Sequence, residues 1–106
     1  MEYSVKDIAE IIGANAKNMH DDKISILLTD SRRLSFPEQS LFFALKTKTN
    51  DGHSYISELY KLRVRNFVVS EFCPEFEALD DACFLVVKDT LKALQKLAVC
   101  HRKQFN

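Results

Sequence analysis

The chain has 106 residues, 46% of them apolar and 28% charged, with 15 lysines and arginines balanced by 15 aspartates and glutamates. That size and composition suit one folded domain with one core, not a disordered segment. Zero net charge removes the general electrostatic case for nucleic acid or an anionic membrane. No apolar run approaches the ~20 residues of a membrane span, and Glu2, Lys6 and Asp7 do not fit a signal peptide, so a cytoplasmic location is expected.

In chain order, Ser4-Val5-Lys6-Asp7 has the form of a capping box. Apolar Ile8, Ala9, Ile11 and Ile12 follow, and Gly13 stands where a helix ends, which predicts a helix over 5–12. Residues 14–19 carry a weak strand signal, and His20-Asp21-Asp22 reads as a turn. The β-branched and aliphatic run KISILLT predicts a strand over 23–29. Asp30 to Arg33 form a polar loop, and Pro37 bars a helix and biases Phe36 to extended backbone. Leu41 to Leu45 is nearly all apolar, as in a central strand covered on both faces. Ile56, Leu59, Tyr60 and Leu62 give a helix over 54–62, and strands are expected at 65–70 and 83–87. Asp89 caps a last helix with a buried stripe of Leu91, Leu94, Leu97 and Ala98, running to about Phe105. Alternating strands and helices imply an α/β three-layer sandwich with a mixed, roughly five-stranded sheet and flanking helices.

Cys73, Cys83 and Cys100 form no C-x-x-C pair and stand in no metal-site spacing with His20, His53 or His101. They read as reduced, mostly buried side chains, with no metal expected. There are only two glycines, Gly13 and Gly52, so neither G-x-x-x-x-G-K-[ST] nor G-x-G-x-x-G occurs.

Ligands of α/β sheets sit in loops at the carboxyl ends of strands. Two such loops, Thr29 to Arg33 and Lys46 to His53, are rich in hydroxyls, amides and cations and poor in general bases. That chemistry suits holding a phosphate-bearing molecule, although solvated surface loops have the same composition. Asp51-Gly52 is turn chemistry first, and His53 reads as a helix-start residue. Asp80-Asp81 reads as a turn, and Lys61, Arg63 and Arg65 as a solvated edge. No catalytic constellation can be argued from spacing, so no catalytic residue is expected here.

The stretch TDSRRLSFPEQSLFFALKTKTNDGHSYI, residues 29–56, resembles the first-domain signature of the Mur ligases, T-D-[ST]-R-x-[LV]-x-P-G-D-L-F-[FV]-A-L-x-G-x-x-x-D-G-H-x-[FY]-I. RNFVVSE is similar to a following strand of that domain, and VVKDTLKALQKLAVCHRKQFN to the segment before the ATP-binding loop. Within the family the ending is most like that of members adding D-alanyl-D-alanine to UDP-N-acetylmuramoyl-tripeptide. The members adding the third amino acid to the dipeptide precursor are the nearest alternative.

The resemblance implies a single N-terminal domain over 1–106 that binds the uridine diphosphate end of a UDP-N-acetylmuramoyl-peptide. A central domain using ATP and Mg2+ is its partner, and that domain and a C-terminal one are absent from this chain. The lone domain is therefore expected to be inactive. Some bacteria fuse such a ligase to alanine racemase. Carried over by position, Thr29 and Ser31 match residues contacting uridine, and Lys48, Thr49 and Asn50 match the segment beside uracil and ribose. Arg32 matches an arginine that either contacts ligand or clamps the loop, and Asp51 and Gly52 match the turn closing the pocket wall. Glu38-Gln39, Thr47 and Arg63 stand where the pattern has Gly-Asp, Gly and Gly, and the first two departures are expected to change how closely backbone approaches the ligand. A non-catalytic sensor or docking domain of the same fold, as in a kinase/phosphatase regulating sugar transport, is the alternative from a different class.

Overall fold

The computed structural model describes residues 3–20 and 22–104, with side chains through Cys100. Asp21 of the expected turn, the His101 side chain and Phe105 at the expected end of the last helix lie outside the described residues.

Helix α1 spans Val5–Ile12 and forms as its sequence dictates. Ser4 Oγ accepts from the Asp7 N–H at 3.1 Å. At the other end Gly13 is left-handed (φ 67°, ψ 38°), and the Gly13 and Ala14 N–H groups donate to Glu10 O and Ala9 O. That closes the last carbonyls of the helix in a Schellman motif.

The run over 23–29 does not make one strand. Lys23–Ile24 (β3) pairs antiparallel with Tyr3–Ser4 (β1), which sequence did not reveal, whereas Ile26–Leu28 (β4) joins the main sheet. Ser25 divides them because its N–H and Oγ–H turn to Gln39 O and Oε1, at 3.0 and 2.7 Å.

The main sheet has five strands in the order β2-β7-β6-β5-β4. Ser40–Phe43 (β5), Asn66–Val69 (β6) and Cys83–Val86 (β7) run parallel to β4, while Asn15–Lys17 (β2) adds antiparallel to β7. Alternate residues of β5 serve opposite faces. Leu41 and Phe43 pack with Val5, Ile8 and Ile12 of α1 and with Ala93 and Leu97 of the last helix, α3 (Thr90–Gln104). Phe42 and Ala44 pack with Ile56 and Leu59 of α2 (Ile56–Lys61) and with Phe76 of a 3-10 turn over Pro74–Ala78. Helices thus cover both faces of a mixed sheet, giving the expected three layers.

Two details of the helices differ from expectation. In α3, Leu97 is fully buried and Leu94 packs on the core as expected, but Leu91 is 50% exposed and Ala98 is exposed, and Thr90 and Ala93 complete the buried face. The Thr90 hydroxyl donates to Ala44 O at 2.9 Å in the core. Leu62, expected inside, caps α2 and is 49% exposed. Arg65 is no solvated edge. Its Nε donates to Asp81 at 3.0 Å, its Nη1 to Tyr60 O at 2.7 Å, and its guanidinium lies 3.9 Å from the Tyr60 ring centre.

Arg63 has φ 79°. The Arg63 and Val64 N–H groups donate to Tyr60 O and Leu59 O, both at 3.0 Å, so α2 ends in the same motif as α1 but without glycine. A left-handed side-chain-bearing residue costs ~1–2 kcal/mol, and the exposed Arg63–Glu38 pair at 3.4 Å returns little. Arg63→Gly should therefore stabilise by about 1 kcal/mol and raise the melting temperature by about 4–8 °C. A calorimetric scan showing no rise would mean that the turn is unstrained.

Of the cysteines, Cys83 is fully buried and Cys73 and Cys100 are partly so. Burial pushes the Cys83 thiol up to about 11, which makes it a poor nucleophile.

Candidate functional site

At the carboxyl ends of β4 and β5 two loops fold alike. Asp30 (φ −126°, ψ 115°) and Asp51 (φ −128°, ψ 113°) each cap a 3-10 turn, over Ser31–Arg33 and Gly52–Tyr55 respectively. Each aspartate accepts the backbone N–H two residues on, at 3.0 Å, the local bond that makes Asp a turn former.

Between these turns lies a cleft of about 460 Å³, lined by Thr29, Asp30, Ser31 and Arg32 on one side and Leu45, Thr47, Asn50, Gly52 and Tyr55 on the other. A larger cleft, about 680 Å³, opens at the opposite, amino end of the sheet among Asp22, Lys23, Glu38, Gln39, Arg63 and Arg65. We place the candidate site at the smaller one. Parallel sheets present ligands at their carboxyl ends, and both arginines of the larger cleft already have carboxylate partners in Glu38 and Asp81. Near that larger cleft the fully buried Asn66 spends its amide N–H on Asp22, and its Oδ1 has no hydrogen-bond partner among the described residues.

Several contacts hold the β5 side rigid. The Ala44 N–H donates to Val68 O at 2.9 Å, and the Gly52 N–H to Leu45 O at 2.8 Å. His53 is only 7% exposed, with Nδ1 2.6 Å from Asp51 Oδ1 and Nε2 accepting the Ser70 N–H at 3.1 Å. His53 thus starts the turn and also laces it to the end of β6. Burial raises the Asp51 carboxyl pKa, but hydrogen bonds from the His53 backbone and ring outweigh this and leave it below the usual range. Asp51, His53 and Glu71 bring potential metal ligands within 4.8 Å of one another. Both ring nitrogens are already engaged, so a cation there would have to displace Asp51 or the Ser70 N–H.

On the β4 side Asp30 also takes the Arg32 guanidinium, with Nε to Oδ1 at 3.1 Å and Nη2 to Oδ2 at 3.0 Å. These bonds, then the Arg32 N–H, lower the Asp30 carboxyl to about 2. Arg32 therefore clamps its own loop.

The residues singled out from sequence separate in space. Thr29, Ser31, Arg32, Asn50 and Gly52 converge on the cleft, whereas Lys48, Thr49 and Asp51 are not among its walls. Lys46 bridges Asp51, and the Thr47 N–H donates to Asn50 O at 2.7 Å, so the loop is a small hairpin with Lys48 and Thr49 at its exposed tip. Thr47 needs no glycine conformation. Its hydroxyl accepts the Asn50 N–H at 3.1 Å, closing the hairpin with its own side chain. Glu38 and Gln39 sit at the amino end of β5, along the other cleft, so that departure does not touch the site. Sequence reading passed over Asp30, Leu45 and Tyr55. The Tyr55 signal was its position three residues past Gly52, one turn along a 3-10 helix.

No protein-family model matches the chain. It is 29% identical over 106 residues to the UDP-N-acetylmuramoyl-tripeptide--D-alanyl-D-alanine ligase of Bacillus subtilis (strain 168), covering 98% of this chain and 22% of that protein. It is 32% identical over 78 residues to the UDP-N-acetylmuramoyl-L-alanyl-D-glutamate--2,6-diaminopimelate ligase of Cytophaga hutchinsonii, covering 74% of this chain and 15% of that protein. Its relatives are Mur ligases. The fold agrees: a crystal structure of MurF from Acinetobacter baumannii superposes over 98% of this chain with TM-score 0.82 at 22% identity. A second crystal structure of that MurF gives TM-score 0.83. The chain spans about a fifth of the length of these Mur ligases. Among its described residues no helix is long and apolar enough to cross a membrane.

Proposed function

We propose that this chain is the substrate-holding N-terminal domain of a cytoplasmic Mur ligase that adds D-alanyl-D-alanine to UDP-N-acetylmuramoyl-tripeptide. Its task is to grip the uridine diphosphate end at Thr29, Ser31, Arg32 and Asn50 against the Asp51-Gly52 turn, with Lys48 and Thr49 reaching it from the hairpin tip beside the cleft. The peptide carboxylate then reaches ATP and Mg2+ on a central domain outside residues 1–106. Such work is catalysis by positioning, and the lone domain carries no chemical step. The observation that supports this most is the convergence of both signature turns, 29–33 and 46–53, on one cleft at the strand ends. The 32% match to a diaminopimelate-adding ligase favours a second reading, in which the parent enzyme adds the third residue to the dipeptide precursor.

Titrating the isotope-labelled chain with UDP-N-acetylmuramoyl-tripeptide should move the amide resonances of residues 29–33 and 46–53. Movement confined to other residues, or none at millimolar ligand, would refute the assignment. Supplying D-alanyl-D-alanine or diaminopimelate to the full-length ligase separates the two readings.

A further inference from the structure

We propose that a hollow between the end of α1 and the start of α3 binds a soluble oligophosphate through Lys88, Lys92 and Lys96. It shares no residue with the cleft between the two turns and does not rest on the function proposed for that cleft.

The hollow has a volume of about 320 Å³ and is walled by the three lysines, by Asp89 and Gly13, and by apolar side chains. That volume falls at the small end of the ~300–1,000 Å³ usual for ligand sites. The space beside Gly13 is open, since a Cβ there would meet nothing within 4 Å.

The chain is neutral as a whole, but its charge is unevenly spread. Over residues 88–104, Lys88, Lys92, Lys96, Arg102 and Lys103 are balanced by a single acid, Asp89. Among the described residues the ammonium groups of Lys88, Lys92 and Lys96 have no hydrogen bond or ion pair, whereas Arg32, Arg63 and Arg65 each have a carboxylate. Asp89, the one acid in the wall, is turned to the helix, where its Oδ1 accepts the Lys92 N–H at 3.1 Å. The acids of α1, Asp7 and Glu10, line a separate hollow beside Cys100.

Folding alone argues against this arrangement. Lysines four positions apart on a helix repel each other. The first turn of α3, which holds Lys92 and has no acid, is the positive end of the helix, where cations are disfavoured. The end of α1 at Gly13 is negative and offers such lysines a structural use. Yet the Gly13 and Ala14 N–H groups already close its Glu10 and Ala9 carbonyls.

Three ammoniums without acceptors suit a ligand with several negative charges and acceptor oxygens on every side. Linked phosphates supply both, and lysine meets them as a point charge. Lys92 and Lys96 stand about 6 Å apart along the helix axis, so two adjoining phosphates meet both, with Lys88 two residues ahead of α3.

The test is calorimetric titration of the chain with pyrophosphate, with amide resonances reporting the place. Binding should move residues 12–13 and 87–96 and raise the melting temperature. Lys92→Gln/Lys96→Gln should weaken it about fivefold. Lys23→Gln/Lys61→Gln, which removes the same charge elsewhere, should weaken it less than about twofold. Without ligand the first variant should melt within about 2 °C of the unaltered chain, or above it, because a repulsion is relieved. A larger fall with binding intact would mean that the lysines serve the end of α1, and overturns the proposal. Equal weakening by both variants, which marks general attraction of charge, also overturns it, as does no binding at millimolar pyrophosphate. Shifts confined to residues 29–33 and 46–53 place the anion in the other cleft, which refutes this site and leaves that one standing. Capture by phosphatidylglycerol vesicles without pyrophosphate binding assigns the lysines to a lipid surface and refutes it too.

Discussion

Phe84→Ala should lower stability by about 3–5 kcal/mol, the usual cost of removing a fully buried phenylalanine. Phe84 is completely buried in β7 and meets three rings, Phe67 at 5.3 Å, Phe76 at 5.0 Å and Phe72 at 5.3 Å between centroids. The first two are stacked and the third is edge-on, so one substitution removes several favourable ring pairs as well as apolar burial. The hole cannot close easily. Phe67 is held in the β-ladder beside it, and Phe76 sits on a 3-10 turn whose N-cap has no side-chain hydrogen bond, so that turn depends on the same rings. A domain of this size holds ~5–15 kcal/mol in all, so the variant should stand close to unfolding, with its urea midpoint lowered by about 1–4 M. Phe36→Ala is the control. That side chain is 61% exposed, and its loss should change stability by no more than about 0.5 kcal/mol. Similar midpoints for the two variants would show that the aromatic cluster is not a principal support of the second face.

That cluster also marks where sequence stops informing. Helix α1 is legible because cap, apolar spacing and terminating glycine all agree, and LFFAL is legible because a strand covered on both faces must be apolar throughout. The 3-10 turn at 74–78 leaves no such trace, since Phe76 is held by the rings of Phe84 in β7 and of Phe72 ahead of the turn, contacts that no helical or strand period announces. The division of the KISILLT run at Ser25 depends on Gln39, fourteen residues away. In the site, the turn chemistry of Asp51-Gly52 and the polar character of both loops were readable. Which of those residues face the cleft was not, because the Thr47–Asn50 hairpin lifts Lys48 and Thr49 out to its tip. Tyr55 escaped notice because it follows the three-residue phase of a 3-10 turn, and the helix pattern begins only at Ile56.

Gly52→Ala should destabilise the domain by about 1–3 kcal/mol and weaken nucleotide binding more than tenfold. The reason is space. A Cβ on Gly52 would lie 2.8 Å from Leu45 N, 2.9 Å from Ala44 Cα and 3.0 Å from Ala44 C. All three are backbone atoms at the end of β5 that cannot swing aside as a side chain would. Ala44 is fixed by its N–H to Val68 O and by Thr90 on its own C=O, so the turn must move instead. Moving it stretches the 2.8 Å bond from the Gly52 N–H to Leu45 O and drags His53 from the Ser70 N–H. Alanine would return ~0.4–1 kcal/mol through a less flexible unfolded chain, which is smaller than the cost of the clash. Gly13→Ala makes the contrast. A Cβ there meets nothing within 4 Å, and only the left-handed φ resists it, so that variant should lose ~1 kcal/mol while binding UDP as before. Thermal melts with UDP titrations on both variants decide the matter: equal binding losses would place the importance of Gly52 in general stability, and a loss confined to Gly52→Ala would place it in the wall of the cleft.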